Sequence, residues 1–459
     1  MLPAAPSSSK FEVPRHVEAL SRFVTETHYA DLPASVIENC KILFADCIAV
    51  IAAGMQSDEM KALAASCIAT SHGGNSTVIG TGRRAPAETS AFLNGTAATW
   101  HDFDAGNTRA HGHPATYVIP AALAGAQAQG ASGRDLLLAT VLGYEVCARV
   151  GAATNMRIAV HPHGTYGVIG AAVALARLRQ FDAAKTGVVM NIAATMAMAT
   201  NRQAMLDEAT VRNMYTGHTA QAGQMAVRLA DAGFTGQRDG IGFTFGTVIA
   251  DGFDPALAIA GLGADWLINE GYIKLHPAGR YAHAAIDALA AALASAQGGP
   301  PGIAAVDRIE VRAFKLAALL SGKQVATSFG AKFSIPFALA TILHHGRSAL
   351  DCFDDEAVRT EAIQTLARRV EVIEDPQYTA RYPEQHLCDV TLFLKSGTTI
   401  TGHCKVMQGD PANPHPAGAI RKKFFDLTVP VCGESKAAEL YETCMRLEQA
   451  PDVGKLSML

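Results

Sequence analysis

The sequence lacks the signatures of most nucleotide, metal and redox enzymes. It has no P-loop lysine motif, and the glycine-bearing stretches GTGRRAPAE and GGPPG lack the strand, loop and helix context of a dinucleotide fold. It contains neither a G-x-S-x-G elbow nor H-E-x-x-H. The nine cysteines, at 40, 47, 67, 147, 352, 388, 404, 432 and 444, never fall at C-x-x-C spacing. That excludes a recognisable iron–sulfur or structural zinc motif. An odd, dispersed set fits reduced thiols packed as small apolar residues, and so a cytoplasmic location is expected. The longest apolar run, around 187–200, is interrupted by Asn191 and is too short for a bilayer, so no membrane partner is expected. The N-terminal MLPAAPSSSKFEVPR shows no charged-then-apolar leader pattern, and its Pro/Ser content predicts a short disordered tail. An excess of positive charge is missing too. Lys and Arg number 38 against 42 Asp and Glu, a formal net charge of −4, which argues against a nucleic-acid partner.

The chain has 459 residues, 49% apolar and 17% charged, which fits a well-buried globular enzyme of two domains. Over 14–55 apolar residues recur at helical spacing, with a restart at Asp31-Leu32-Pro33, so two helices are expected there. Further helices are predicted over 58–71, up to about Trp100, and near 117–128, 133–154, 164–179 and 182–200. Small residues on their faces permit close backbone approach, and few strands are expected before about 260. The pattern then changes. VDRIEVRAF, RVEVIED, DVTLFLKSG and TTITGHCK read as strands, the last two as a hairpin turning at Ser396-Gly397. Helices are predicted between them, at 332–346 and 354–368. The expected class is mainly α with an α/β part: a helical domain over 1–268 and 405–459, and a smaller α/β domain over 269–404.

The densest polar cluster is WHDFDAGNTRAHGHP at 100–114, set between two alanine-rich helical patterns. It carries Asp102, Asp104, Thr108, Arg109, His111 and His113. A polar run between core helices is a loop, and loops on rigid scaffolds often carry chemistry. A capped, hydrated connection is equally compatible with this stretch alone. Other cationic or histidine-bearing blocks sit in apolar surroundings: His161 and His163 in VHPHGTYG, Arg212 in TVRNMYTGH, and Lys274, Arg280 and His283 in IKLHPAGRYAH. The two His-x-His pairs lack a carboxylate or thiolate complement, so no metal and no cofactor are expected. The turn GTYGVIG after His163 opens a helix whose free N–H groups suit an anion. Histidines with Arg and Lys fit a site for a small polyanion, with proton abstraction next to a carboxylate and cations stabilising the enolate.

Five blocks together resemble the MmgE/PrpD family, which includes 2-methylcitrate dehydratase, cis-aconitate decarboxylase and iminodisuccinate epimerase. They are HDFDAGNTRAHGHPATYVIPAALA, HPHGTYGVIGAAVALARL, VRNMYTGHTAQAGQMAVRLADAGFTG, IKLHPAGRYAHAAIDAL and KFSIPFALATIL, in the family's order. The resemblance implies a helical domain from both chain ends, an inserted lid domain, a homodimer and a cofactor-independent site between the domains. Its catalytic Asp falls on Asp102, its histidines on His113 and His161, and its lysine on Lys274. Two departures stand out. The chain reads DFDAGN where the family commonly has a D-F-D-D-T-like string, and Arg212 replaces a frequent lysine. Arginine holds carboxylates but does not act as a base. Arg212 is therefore assigned to substrate binding, along with Thr108, His163, Arg280 and His283.

The resulting expectation is a lyase, a dehydratase of the 2-methylcitrate type, acting on a di- or tricarboxylate. His113 or His161 removes the proton α to a carboxylate, Asp102 orients that histidine, and Lys274 handles the leaving group or the enolate. A decarboxylase or an epimerase on the same fold is the alternative, and a non-catalytic carboxylate-binding protein is the third. The segment 105–107 is where a substrate difference is expected.

Overall fold

The computed structural model describes residues 13–456. The predicted N-terminal tail lies largely outside them. The first part of the chain is a stack of helices: α1 (Arg15–Glu26), α2 (Ala34–Gly54), α3 (Asp58–Thr70), α4 (Ala87–Ala98), α5 (Pro114–Gln129), α6 (Gly133–Ala152), α7 (Gly167–Leu178), α8 (Ala183–Thr195) and α9 (Met214–Asp231). Local chemistry sets their ends. Ser57 and Asp182 cap α3 and α8 with their side chains, and Ser132 and Asp135 form a capping box on α6. Helix α5 has Pro114 in its first turn and stops at Gly130, whose φ of 64° is left-handed.

Small residues let these helices pack backbone to backbone. A Cβ on Gly217 of α9 would lie 2.1 Å from the Thr96 hydroxyl oxygen of α4, so only glycine allows that approach. Helix α9 packs on both α4 and α7. Where few strands were expected, three short strand pairs tie the loops: Ser76–Val78 with Arg83–Ala85, Thr154–Met156 with Ala250–Phe253, and Gly106–Asn107 with Gly271–Tyr272.

The second part contains helix α10 (Arg280–Ser295), strand β1 (Val306–Ala313), helix α11 (Ile335–His345), then β2 (Val370–Glu374), β3 (Cys388–Leu394) and β4 (Thr399–Cys404). The sheet order is β4-β3-β1-β2, with β1 and β2 parallel and the other pairs antiparallel. The β3–β4 hairpin turns at Ser396-Gly397, where Gly397 has φ 88°. Helix α10 lies on β3 and β4. The helix expected over 354–368 is broken at Thr360 into Asp355–Arg359 and Glu361–Ala367, and that expected over 182–200 ends at Thr195. The chain closes with α12 (Ala419–Cys432) and α13 (Glu434–Met445).

Buried apolar residues form two clusters. One runs from Val17 to Ile273 and resumes at Phe424; the other runs from Ala278 to Met407 and takes in Met205. The molecule is therefore mainly α with a small sheet. No helix among the described residues is long and apolar enough to cross a membrane.

Candidate active site

The loop between α4 and α5 is held by backbone first. Gly106 and Asn107 pair with Tyr272 and Gly271, which carries the following Lys274 to the start of the loop. Asn107 locks this arrangement: its Nδ2 donates to the Leu267 carbonyl at 2.8 Å and its Oδ1 accepts from Ala110 N–H at 2.9 Å. Asp102 sits at φ 49° and His111 at φ 54°, left-handed conformations that are uncommon outside glycine and are over-represented at functional sites.

Two buried carboxylates organise the charges. Asp102 Oδ1 accepts from Arg212 at 2.6 Å, and Oδ2 accepts from Lys274 Nζ at 2.9 Å. Lys274 also donates to the Asp102 carbonyl at 2.8 Å and lies 3.7 Å from Asp104 Oδ1. Asp104 Oδ2 is 2.7 Å from His113 Nδ1, which is also 2.9 Å from the Ala105 carbonyl. The partner of His113 is therefore Asp104. The expectation that Asp102 orients this histidine is corrected: with its carboxylate between Arg212 and Lys274, it has no free oxygen for an imidazole. Burial would raise both carboxyls, but Lys274 and Arg212 outweigh it at Asp102, and His113 and Lys274 outweigh it at Asp104. Both stay ionised, below the usual carboxylate range.

The second histidine pair has a different state. Burial, reinforced by the nearby Arg212 guanidinium, pushes His161 and His163 well below the ordinary histidine range, so both are neutral. His161 Nδ1 accepts the His163 backbone N–H at 3.1 Å, and its Nε2 lies 3.4 Å from the Arg212 Nε–H, so both ring nitrogens face N–H donors. His163 Nδ1 lies 2.6 Å from the Tyr117 hydroxyl, and its Nε2 is buried with no hydrogen-bond partner. Asp104, His113 and His163 offer donor atoms within 4.8 Å of one another, a spacing that could hold a metal ion. The Lys274 ammonium already supplies a cation 3.7 Å from Asp104 Oδ1, so a metal would have to compete with it.

These groups face a cavity of about 70 Å³, room for a few waters. Of the residues expected at the site, Asp102, Thr108, His113, His161, Arg212, Lys274 and Arg280 line it, as does His111. His163 and His283 do not: His163 packs behind His113, and His283 sits under Arg280 with its Nε2 on the Ala278 carbonyl at 3.1 Å. Arg109 pairs with Glu270 at the exposed rim. The helix-end anion site after His163 is not on the cavity, because α7 begins only at Gly167 and the residues of that block that reach the wall are His161 and Pro162. Nor do residues 105–107 act mainly as a substrate-reading wall. Ala105 and Gly106 are buried backbone partners, and only Asn107 of the three reaches the cavity.

Several wall residues had no sequence signal. Tyr382 and His386 come from the irregular stretch RYPEQHL, and Arg202 and Met205 from the short helix Gln203–Leu206 and its N-cap, beyond the helix expected over 182–200. Asp410, the ion partner of Arg280, lies in the loop before α12. Tyr272 was readable as the aromatic before Lys274; the Arg280 guanidinium lies 4.0 Å over its ring.

The MmgE/PrpD N-terminal domain model matches residues 18–255, and the MmgE/PrpD C-terminal domain model matches residues 276–449. A cis-aconitate decarboxylase-like protein, oryM, of Aspergillus oryzae is 25% identical, covering 96% of each chain. The cis-aconitate decarboxylase of Mus musculus is 24% identical over 82% of this chain and 79% of its own, and that of Aspergillus terreus 23% over 93% and 92%. These relatives are lyase-type enzymes. Matched by both domain models of one family, the chain belongs to the MmgE/PrpD family.

Proposed function

We propose that this chain is a cofactor-independent lyase that decarboxylates a small unsaturated polycarboxylic acid of the cis-aconitate kind. The observation that carries the reading is the Asp104–His113 pair at 2.7 Å on the cavity wall. With Nδ1 committed to Asp104 and the Ala105 carbonyl, Nε2 is the nitrogen left to exchange a proton with substrate. His161, also on the wall, has both ring nitrogens engaged by protein N–H groups, Nδ1 by the His163 backbone and Nε2 by Arg212. In the reaction, the bond between carbon and the departing carboxylate breaks and CO₂ leaves. The electron pair delocalises toward a neighbouring carboxylate, where Lys274 and Arg212 stabilise it. His113 Nε2–H then protonates carbon, and the ionised Asp104 stabilises the imidazolium that delivers the proton. The names of the relatives support this choice among the family's chemistries.

A second reading, dehydration of a hydroxy-tricarboxylate, is favoured by one feature. The Lys274 ammonium lies beside the proton-exchanging histidine's partner and offers an acid for a leaving hydroxide. The two readings separate in one experiment: NMR of the purified protein in deuterated water with citrate, methylcitrate, the aconitate isomers and iminodisuccinate. Decarboxylation gives CO₂ and one solvent deuteron on the product carbon, whereas dehydration gives an alkene without CO₂. His113→Ala is expected to lower turnover by orders of magnitude while the circular dichroism spectrum is kept. No reaction or exchange with any of these acids, or near-normal turnover of the variant, would sink the assignment.

A further inference from the structure

The cavity cations are neutralised within the protein, with one exception among the described residues. Lys274 and Arg212 both bind Asp102, Arg280 binds Asp410, and His386 lies 3.5 Å from the same Asp410. Arg202 also lines the cavity, yet no carboxylate lies within ion-pair distance of it. Its guanidinium is held instead by two backbone carbonyls, with Nε donating to Ile158 at 2.9 Å and Nη2 to Val160 at 3.4 Å. Its own backbone N–H donates to the Ala159 carbonyl at 2.8 Å. Carbonyls orient a guanidinium but leave its charge uncompensated, and Nη1 is left without a protein partner.

We infer that Arg202 receives a carboxylate of the substrate remote from the reacting carbon, and so sets the requirement for a polyacid. An ordinary solvated arginine would be free to sample rotamers, whereas this one is only partly exposed and fixed at two donors on the rim of a cavity. A positive charge pre-oriented in a partly dehydrated site is a receptor for an anion. Its place on the wall is remote from Lys274 in the chain but shared with it in space. His161 and Tyr382, whose titrations both feel the Arg202 charge, mark its neighbours. One carboxylate would then face the Lys274–His113 end while a second is gripped by Arg202. A monocarboxylate fills only one of these positions.

This rests on the polycarboxylate reading of the same cavity, and the test separates the two. Tricarballylate, a saturated tricarboxylate, reports binding without turnover, and titration calorimetry measures its Kd on the wild type, Arg202→Met and Arg202→Lys. Circular dichroism checks that each variant is folded. Arg202→Met is expected to weaken tricarballylate roughly 10- to 100-fold, the scale of a lost charge-assisted hydrogen bond. Arg202→Lys should keep part of the affinity. In turnover of cis-aconitate, the methionine variant should raise KM far more than it lowers kcat. Binding lost in the variant, with no acid in the panel turned over by the wild type, would sink the proposed reaction and leave the role of Arg202 intact. Tricarballylate bound within twofold by Arg202→Met, or not bound by the wild type, would overturn the assignment of Arg202 even if cis-aconitate is consumed.

Discussion

Asp102→Asn offers a clean test of how the site is charged. Asparagine is nearly isosteric and among the side chains that best tolerate the left-handed conformation at φ 49°, so the substitution removes charge with little backbone cost. What it leaves is two buried cations. Arg212 and Lys274 bind opposite oxygens of this carboxylate at 2.6 and 2.9 Å, and all three side chains are no more than 3% exposed. Removing one partner of a buried ion pair costs about 3–5 kcal/mol, because the remaining charge stays dehydrated and unpaired. Lys274 keeps Asp104 at 3.7 Å, so most of the loss belongs to Arg212. At roughly 2.1 cal/mol/K per residue over 459 residues, about 3–5 kcal/mol corresponds to a fall in Tm of roughly 3–5 °C at pH 7. The pH dependence has a fixed sign. The Asp102 carboxyl titrates lower in the folded chain than in the unfolded one, so its stabilisation is complete above the unfolded value. It fades as the pH falls below about 4. The gap between wild type and variant should therefore be flat from neutral to mildly acidic pH and narrow below that. Adding Arg212→Met to Asp102→Asn should restore at least half the lost stability, since the orphaned charge is gone. Thermal melts and denaturant titrations across pH measure all three quantities. A single variant melting within 2 °C of wild type at pH 7, or a double variant less stable than the single, would refute the reasoning.

Two further perturbations follow from the same surroundings. Lys332 is buried in the segment before α11, and burial pushes its ammonium down to about 8 from an ordinary 10.5, with Asp102 opposing the shift. Because the unfolded chain holds this proton more tightly, stability rises with pH through that window, and at neutral pH the charge costs up to about 3 kcal/mol. Lys332→Met should thus raise the denaturant midpoint at pH 7, with the gain shrinking toward pH 10; a variant less stable at pH 7 would contradict this. At Gly106 an added Cβ would lie 2.3 Å from the Tyr272 hydroxyl oxygen. Gly106→Ala should then cost about 1–3 kcal/mol by overpacking and lower kcat through displacement of Lys274, and unchanged melting and turnover together would disprove it.

The legible parts of the sequence were those carried by local pattern. Helical spacing marked α1 and α2 and the break between them, and alternation with a Ser-Gly turn marked the β3–β4 hairpin. The polar run at 100–114 identified the loop, and its neighbours in the cavity followed from blocks rich in His, Arg and Lys. What escaped was set by pairing distant in sequence. The two-residue ladder of Gly106 and Asn107 with Gly271 and Tyr272 is too short to leave a periodicity, yet it brings Lys274 to Asp102. The ion partners Asp410 and Asp104 were likewise assigned by space rather than by spacing. Arg202 looked like an ordinary polar turn residue, because only the fold reveals that the other cavity arginines are already neutralised.

The departure DFDAGN becomes intelligible once the loop is seen as three residues with two faces. Asp102 and Asp104, two apart, both turn toward Lys274, with oxygens at 2.9 and 3.7 Å. Phe103 between them points the other way, where its carbonyl accepts from Lys423 at 2.7 Å and its ring lies 4.2 Å from the same ammonium. Lys423 is in turn anchored by buried Asp46. Each face thus balances cation against carboxylate within the protein. A further acidic side chain at 105 would enter a buried position whose carbonyl already meets His113, and would add negative charge beside Asp104 with no cation left to meet it. The like charge would raise the carboxyl of Asp104 and strengthen its hold on the histidine's proton. Alanine at 105 adds no such charge, so the Asp104–His113 pair keeps the balance of cation and carboxylate that the proposed proton transfer needs.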